Sequence, residues 1–230
     1  FQAYKKTAQT MGDRLVIIRT ADLGADKQAS YLEIPKETNP LMGNRGIRLC
    51  LDRKNLFKTQ IRAIYRASWY GNLGMMYPMI CGEEEMDEIE VLVAEVKNEL
   101  RAVGIPFKEI QTGIMMETPA AVMIGEELAK RVNFLGIGTN DLTQYTLAMD
   151  RQNPLLQKKY NDHHPAILKM IRMIVEAGHA QNCKVCLCGE LAADTRLTET
   201  FLRMGVDALS VVPACILPVR KALRAARVED

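Results

Sequence analysis

Three short apolar runs in this chain each stop at side chains that can carry chemistry. The first run ends at Glu117, the second at Asn140 and Asp141, and the third at Cys188. Parallel strands of an α/β barrel present the groups at their carboxyl ends on one rim, so this repetition is typical of a barrel active site. The feature therefore predicts a parallel α/β fold in which several strand ends contribute polar groups.

The composition is that of an ordinary globular protein. The 230 residues are 48% hydrophobic and 25% charged, and 30 basic against 28 acidic side chains give a net charge of +2. This length suffices for one large α/β domain or two small ones. The charge balance gives no reason to expect a nucleic acid partner. The apolar stretches are shorter than the ~20 residues of a membrane span, so we expect no membrane insertion. The six cysteines look like reduced thiols, which predicts a cytoplasmic location.

Short β runs alternate with longer helical runs along the chain, which indicates a parallel sheet. Roughly six βα units are visible, against the eight of a closed barrel. Because polar groups follow most strands and not a single switch point, we favour a barrel over a doubly wound sheet. We therefore predict a (β/α)8 TIM-type barrel that lacks its first one or two βα units. The predicted strands are 15–20, 75–79, 113–117, 134–138, 185–188 and 208–211, and the main predicted helices are 2–11, 83–103, 120–131, 165–177, 195–204 and 217–226.

Two carboxylates and several arginines are candidate ligand-binding groups. Glu117 and Asp141 at two strand ends could hold Mg²⁺, which takes one or two carboxylates and completes its shell with water and substrate oxygens. The alternative is that each carboxylate caps the helix that follows it, and Asp141 could do both. A guanidinium fork suits phosphate or carboxylate, although a single arginine is more often a surface residue. Arg19 directly follows an apolar run, so we expect its charge to meet a partner.

The cysteines near the fifth predicted strand have two interpretations. Cys188 stands at the strand end, where a thiol could act as a proton donor. Cys183 and Cys186 have the spacing of half a zinc site or a redox pair, but no second close pair exists, and we favour small buried hydrophobes. The long polar connection 24–48 is typical of a lid or an insertion. Neighbouring Met75 and Met76, together with Met115 and Met116, are predicted to fill the core, and Trp69 to pack on a helix.

Six motifs occur in order along nearly the whole chain. They are Arg19-Thr-Ala-Asp-Leu-Gly-Ala-Asp-Lys27, Asn39-Pro-Leu-Met-Gly-Asn-Arg-Gly-Ile-Arg48, Tyr77-Pro-Met79, Glu117-Thr-Pro-Ala-Ala121, Gly138-Thr-Asn-Asp-Leu-Thr-Gln-Tyr-Thr-Leu-Ala-Met-Asp-Arg151 and Cys188-Gly-Glu190. As a set they resemble the C-terminal, phosphoenolpyruvate-binding domain of the Enzyme I family of bacterial phosphotransferase systems. Any one motif alone would be shared with pyruvate phosphate dikinase and phosphoenolpyruvate synthase, which have the same barrel.

The resemblance implies a role for each candidate residue. The matching positions are Glu117 and Asp141 for magnesium, Arg19, Arg45, Asn140, Asp141, Arg151 and Lys27 for phosphoenolpyruvate, and Cys188 for the acid that protonates the methylene carbon of the enolate. The implied reaction moves a phosphoryl group from phosphoenolpyruvate to a histidine on another domain, releases pyruvate, and passes the phosphoryl group on to a carrier protein. A homodimer is implied in the same way.

The resemblance also predicts the domain organisation. Residues 1–230 correspond to the barrel domain of the phosphoenolpyruvate/pyruvate family, truncated at its N-terminal side, and the phospho-histidine and carrier-binding domains are absent. His163, His164 and His179 lie in no matching motif, and the family's upstream phosphate-binding arginine is also absent, so we expect no complete phosphotransfer by this chain alone. Two alternatives stay open at this point: a dikinase or synthase barrel, and a non-catalytic dimerisation or regulatory module.

Overall fold

The computed structural model of the protein describes residues 1–25 and 33–227. The chain divides into two compact units, Phe1–Ile114 and Met115–Asp230, which are described separately below. Lys27, one of the predicted substrate-binding residues, lies outside the described residues, as does part of the connection 24–48. Among the described helices, none combines the length and the apolar character needed to cross a membrane.

The first unit is a parallel α/β arrangement. Strand β1 pairs with β2, with Val16 opposite Leu73, and β2 pairs with β3, with Gly74 opposite Gln111. A 3₁₀ turn at Pro40–Met42 lies in the connection after β1. The elements are α1 (Gln2–Met11), β1 (Val16–Arg19), α2 (Ile47–Asp52), α3 (Lys54–Ser68), β2 (Leu73–Tyr77), α4 (Glu83–Ala102) and β3 (Gln111–Met116), whose last two residues belong to the second unit.

Helix α4 shows how the local sequence sets an element of this unit. The Glu85 carboxylate accepts hydrogen bonds from the backbone N–H groups of Cys81 and Gly82 at 2.6 and 3.2 Å, which satisfies donors at the start of the helix. Acidic side chains in the first turn also match the positive end of the helix dipole. The buried stripe recurs every three or four residues and consists of Met86, Ile89, Leu92, Val96 and Leu100. Its periodicity gives the helix one core-facing side, as the sequence predicts.

The second unit repeats the parallel pattern. Strands β4, β5 and β6 pair in chain order, and Gly138 at the end of β4 lies opposite Cys188 at the end of β5. The elements after β3 are α5 (Pro119–Met123), α6 (Gly125–Ala129), β4 (Phe134–Gly138), α7 (Thr139–Leu147), α8 (Pro165–Ala180), β5 (Lys184–Cys188), α9 (Thr198–Arg203), β6 (Ala208–Leu209) and α10 (Ile216–Ala225).

The parallel α/β class and the six predicted strands are confirmed, each predicted strand overlapping an observed one. Strands β2 and β4 are buried along their whole length, as predicted, whereas β1 and β5 alternate between buried and more exposed positions. The four strand methionines are buried, as predicted. Trp69, which is predicted to pack on a helix, is 50% exposed and is therefore not part of the buried core.

Two predicted helices differ from the structure for local reasons. The predicted helix 120–131 breaks at Ile124, whose φ of −112° and ψ of 31° end α5 before α6 begins. The predicted helix 195–204 begins only at Thr198. The Asp194 carboxylate accepts hydrogen bonds from the backbone N–H and the guanidinium of Arg196, which closes a turn where the first helical turn was predicted.

Candidate functional site

The two predicted metal-binding carboxylates lie at successive strand ends in the second unit. Glu117 follows β3 and is 2% exposed, and Asp141 lies in the first turn of α7 and is 7% exposed. A Cβ atom built on Gly138, the last residue of β4, would lie 2.4 Å from Oε2 of Glu117. The Glu117 carboxylate is therefore packed directly against the end of β4, two residues before Asn140.

The β4–α7 turn is fastened to the end of β5. The Thr139 hydroxyl donates to the backbone carbonyl of Cys188 at 2.9 Å, and the Asn140 side-chain carbonyl accepts from the backbone N–H of Glu190 at 3.1 Å. Gly189 between them has a φ of +92°, and a Cβ there would lie 2.4 Å from the Thr139 hydroxyl oxygen. The positive φ and the close approach both require glycine. These contacts hold the predicted ligand Asn140 and the predicted acid Cys188 on one rim.

Arg151 is positioned by the segment that ends α7. Ala148 adopts a left-handed conformation, and the Gln144 side chain accepts a hydrogen bond from the backbone N–H of Arg151 at 3.1 Å. Nη1 of Arg151 lies 3.7 Å from Oδ1 of Asp141. That nitrogen is buried and makes no hydrogen bond to any residue that the structure describes. It is therefore a donor whose hydrogen-bonding capacity is unused among the described residues, in a guanidinium group that also lines the neighbouring cavity.

A cavity of about 370 Å³ lies beside these groups in the second unit. The Tyr160 hydroxyl donates to the backbone carbonyl of Asn140 at 3.2 Å. Burial raises the pKa of Tyr160, so the phenol keeps its proton and remains a donor. Sequence reasoning missed Tyr160, because its partner is twenty residues away and no motif marks it. The lining residues are Thr139, Asn140, Thr143, Arg151, Gln152, Gln157, Tyr160, Asp162, Glu190 and Leu191.

The segment that carries Tyr160 is also fastened at its far end. Nε2 of His163 lies 2.8 Å from Oδ2 of Asp194, and Nη2 of Arg196 lies 2.6 Å from the same oxygen. The hydrogen bonds from Arg196, with a smaller contribution from His163, hold the pKa of Asp194 well below its usual range. A charged Asp194 therefore links the segment after α7 to the segment after β5.

The three cysteines of the β5 region have different environments. Cys183 is buried, and its thiol lies within hydrogen-bonding distance of the backbone carbonyls of Ala129 and Val132, at 3.2 and 3.1 Å. Cys186 and Cys188 are partly exposed, and their sulfurs are 4.0 Å apart. Over the described residues no group of three or more His, Cys, Asp or Glu side chains is arranged to hold a metal. The structure thus supports the interpretation of Cys183 as a small packed residue.

The first unit brings Arg19 and Arg45 to one carboxylate. Nη2 of Arg45 lies 3.2 Å from both Asp22 oxygens, and Nη2 of Arg19 lies 3.7 Å from Asp22 Oδ2. The Arg45 and Asp22 side chains are almost completely buried, at 1% and 4% exposure. The prediction that the Arg19 charge meets a partner is confirmed. Asp22 was missed as a site residue, although a carboxylate three residues after Arg19 was a visible signal.

The carboxylates of the second unit fit a magnesium ion by their chemistry. Mg²⁺ prefers oxygen ligands and is usually held by one or two carboxylates, with water and substrate oxygens completing its shell. Glu117 and Asp141 supply two such groups, and the missing Cβ of Gly138 lets the Glu117 carboxylate lie directly against the end of β4. A cation would also offset part of the cost of burying two ionised carboxylates.

Comparison with known proteins identifies the family. A family model described as "PEP-utilising enzyme, PEP-binding domain" matches residues 1–228, so the chain belongs to this family. Phosphoenolpyruvate-protein phosphotransferase of Haemophilus influenzae is 45% identical over 231 residues, covering 100% of this chain and 40% of that protein. The Bacillus subtilis protein of the same name is 42% identical over 221 residues and covers 96% of this chain and 39% of its own length. The chain thus spans about two fifths of the length of these relatives.

Solved structures show the same kind of fold at low sequence identity. A citrate lyase from Burkholderia xenovorans superposes with a TM-score of 0.54 and 19% identity over 72% of this chain and 53% of that one. Pyruvate kinase from Pyrobaculum aerophilum superposes with a TM-score of 0.51 and 15% identity over 75% of this chain and 39% of that one. At this level of identity the likeness supports the α/β fold alone.

Proposed function

We propose that this chain is the phosphoenolpyruvate-binding catalytic domain of a phosphoenolpyruvate-protein phosphotransferase. The observation that carries the proposal is the rim of the second unit, where the buried carboxylates of Glu117 and Asp141 stand at successive strand ends and Arg151 lines a cavity of about 370 Å³. One nitrogen of Arg151 lies 3.7 Å from Asp141 and has no hydrogen-bond partner among the described residues. That combination suits a small trianionic substrate held together with a divalent cation. The names of the curated relatives support the same assignment over a dikinase or a synthase.

In the proposed reaction each rim residue has a definite task. Arg151 binds the anionic substrate through its available Nη1, and Asn140 orients it from the first turn of α7. Transfer of the phosphoryl group leaves the enolate of pyruvate. The Cys188 thiol, at the end of β5, then gives its proton to the methylene carbon. By the family resemblance alone, Arg19 and Arg45 stay proposed substrate-binding residues, and within the first unit Asp22 orients both guanidinium groups.

Magnesium belongs to the proposal as a cofactor held by Glu117 and Asp141. When bound, it would supply positive charge that stabilises the anionic oxygens of the substrate and of the enolate. The chain's own contribution is to hold the two carboxylates at adjacent strand ends, in a setting where water is largely excluded.

Three further proposals follow from the family resemblance. The barrel would be closed by two βα units upstream of β1, and exposed apolar side chains of this edge, Leu15 and Ile17, are what a pairing strand would cover. The phosphoryl acceptor would be a histidine of another domain, which passes the group to a carrier protein. The working protein would be a cytoplasmic homodimer. Analytical ultracentrifugation tests the dimer by measuring the mass of the protein in solution.

The test of the proposed function is a calorimetric titration of phosphoenolpyruvate into this chain with and without Mg²⁺. We expect the unchanged chain to bind phosphoenolpyruvate only when Mg²⁺ is present. Glu117→Gln should lose most of this affinity, and added Mg²⁺ should no longer increase the binding that remains. Glu127→Gln, an exposed carboxylate on α6 of the same unit, is the matched control and should titrate like the unchanged chain. The ligand assignment would be refuted if the unchanged chain bound phosphoenolpyruvate equally well without Mg²⁺, or if Glu117→Gln and Glu127→Gln gave the same titration.

A further inference from the structure

Cys186 is a second thiol beside the proposed proton donor. It stands two residues before Cys188 on β5, so the two side chains share one face of the strand. Their sulfur atoms are 4.0 Å apart, within hydrogen-bonding distance for sulfur. Both residues are partly exposed, and neither is in a disulfide. The proposed reaction uses Cys188 and leaves the role of Cys186 open.

Within this pair either sulfur can be the donor. The Cys188 thiol lies 3.9 Å from the backbone carbonyl of Cys186, while the Cys186 thiol can donate to the Cys188 sulfur or to the carbonyl of Leu187 at 3.9 Å. The hydrogen bond with Cys188, and then burial, raise the pKa of Cys186 far above that of an ordinary thiol. Either thiol can donate in the resting pair, but once Cys188 has given up its proton, only the Cys186 S–H group can donate across the 4.0 Å contact.

We propose that Cys186 is a positioning residue for Cys188, whose S–H group donates a hydrogen bond to the Cys188 sulfur and favours its thiolate form. The inference rests on the proposed function, in which Cys188 is the acid. In that step the S–H bond of Cys188 breaks and its electron pair remains on sulfur. The C=C electron pair of the enolate forms the new C–H bond of pyruvate. Cys186 keeps its own proton and stabilises the new thiolate, which later regains a proton from water.

Negative charge near the Cys186–Cys188 pair makes a thiolate there less stable, and an S–H donor counteracts this effect. Asp207, at the approach to β6, acts on Cys186 and raises its pKa, while its own carboxylate contacts His179 and the backbone N–H of Val185 at 2.9 and 2.8 Å. On the β4 side, Glu117 lies against Gly138, the register partner of Cys188. Glu190 follows Cys188 by two residues, and Lys184 begins the same strand. The negative charge of Asp207 disfavours a second negative charge on the pair, so a neighbouring S–H donor offsets part of this cost.

The test is the pH dependence of alkylation at Cys188 in the 230-residue chain. Iodoacetamide reacts with the thiolate, and mass spectrometry of the peptide that contains residue 188 reports that thiol apart from the other cysteines. We expect Cys186→Ala to raise the apparent pKa of Cys188 by about one unit, since a hydrogen bond to the charged form is lost. Cys186→Ser keeps an O–H donor, so the apparent pKa of Cys188 in this variant should lie close to that of the unchanged chain. Cys215→Ala, a partly exposed cysteine in the 3₁₀ turn after β6, is the matched control and should leave the midpoint unchanged.

Two results would overturn the inference: an unchanged midpoint in Cys186→Ala, or a serine variant that behaves like the alanine variant. Far-ultraviolet circular dichroism of each variant verifies that the fold is kept, and the serine variant supplies the answer if the alanine variant unfolds. The acid role is tested separately by turnover of Cys188→Ala in the full-length protein. Normal turnover there would remove the proposed catalytic task of Cys188 while the measured coupling of the two thiols remained.

Discussion

Replacing Gly138 by alanine should damage the proposed metal site without removing any of its functional groups. The new Cβ would lie 2.4 Å from Oε2 and 2.8 Å from Cβ of Glu117, and 3.0 Å from Cγ of Met115. Ordinary carbon–carbon contacts are about 3.5–4.0 Å, so one of these groups must move by roughly 1 Å. Rotation of the Glu117 side chain can relieve the first contact but not the second, because its Cβ is fixed to the backbone.

The structural contacts set the size of the expected effect. Overpacking of this kind in a buried site costs about 1–3 kcal/mol of the free energy of unfolding, and each kcal/mol lowers the melting temperature by about 2–4 °C in a chain of this length. Displacement of a metal-ligating carboxylate by a neighbouring group should weaken magnesium binding by about 10- to 100-fold. We therefore expect a moderate loss of stability together with a large loss of magnesium affinity.

The assay combines urea unfolding with a magnesium titration at fixed phosphoenolpyruvate. Gly125→Ala is the matched control, since it adds the same methyl group at the start of α6, where the nearest atoms are Cβ of Ala177 at 3.2 Å and Cε of Met116 at 3.6 Å. A helical glycine replaced by alanine gains about 0.5–1 kcal/mol, which opposes the mild crowding. If Gly138→Ala keeps both the stability and the magnesium affinity of the control, the argument that Glu117 is packed against β4 is refuted.

Two further predictions concern caps and charges of the second unit. Thr118→Ala removes the hydroxyl that accepts a hydrogen bond from the backbone N–H of Ala121 at 3.1 Å, and urea unfolding should show a loss of about 1 kcal/mol in the free energy of unfolding. Thr118→Ser keeps the hydroxyl and should retain most of that free energy. Equal losses in the two variants would contradict a capping role. The hydrogen bonds from Arg196 lower the pKa of Asp194, so its stabilisation is present above the unfolded pKa of about 3.9 and is lost as the pH falls through the lowered folded value. The difference in melting temperature between the protein and Asp194→Asn should therefore shrink from pH 7 to pH 3, and a constant difference would rule out the charge as its cause.

The fold was predictable where one local pattern determines an element. The apolar run 134–138 followed by Thr139 defines β4 to the residue, because a strand buried on both faces has no competing helical periodicity. The break at Ile124 was not predicted, because its only signal in Ala120–Arg131 is Gly125 directly after it, and an isolated glycine is tolerated inside a helical pattern.

The candidate site was predictable in the groups that stand at strand ends. Glu117, Asp141 and Cys188 stand at strand ends, and that position is visible in the sequence. Asp22 and Tyr160 act through partners 23 and 20 residues away, and such pairs exist only after the chain has folded. The separation between neighbouring sulfurs of Cys186 and Cys188 likewise depends on side-chain rotamers, although their place on one strand face follows from the spacing.

The attachment of the segment between α7 and α8 has a consequence for the thermodynamics of binding. This wall of the cavity is fastened near its start by Gln144 to Arg151, near its end by Tyr160 to Asn140, and beyond that by His163 to Asp194. The conformational entropy of this segment is therefore lost mainly when the protein folds, and little remains to be lost when a ligand arrives. Affinity in this cavity would then depend on contacts with the ligand, and cutting any of the three attachments would leave more conformational entropy to be lost on binding and so weaken it.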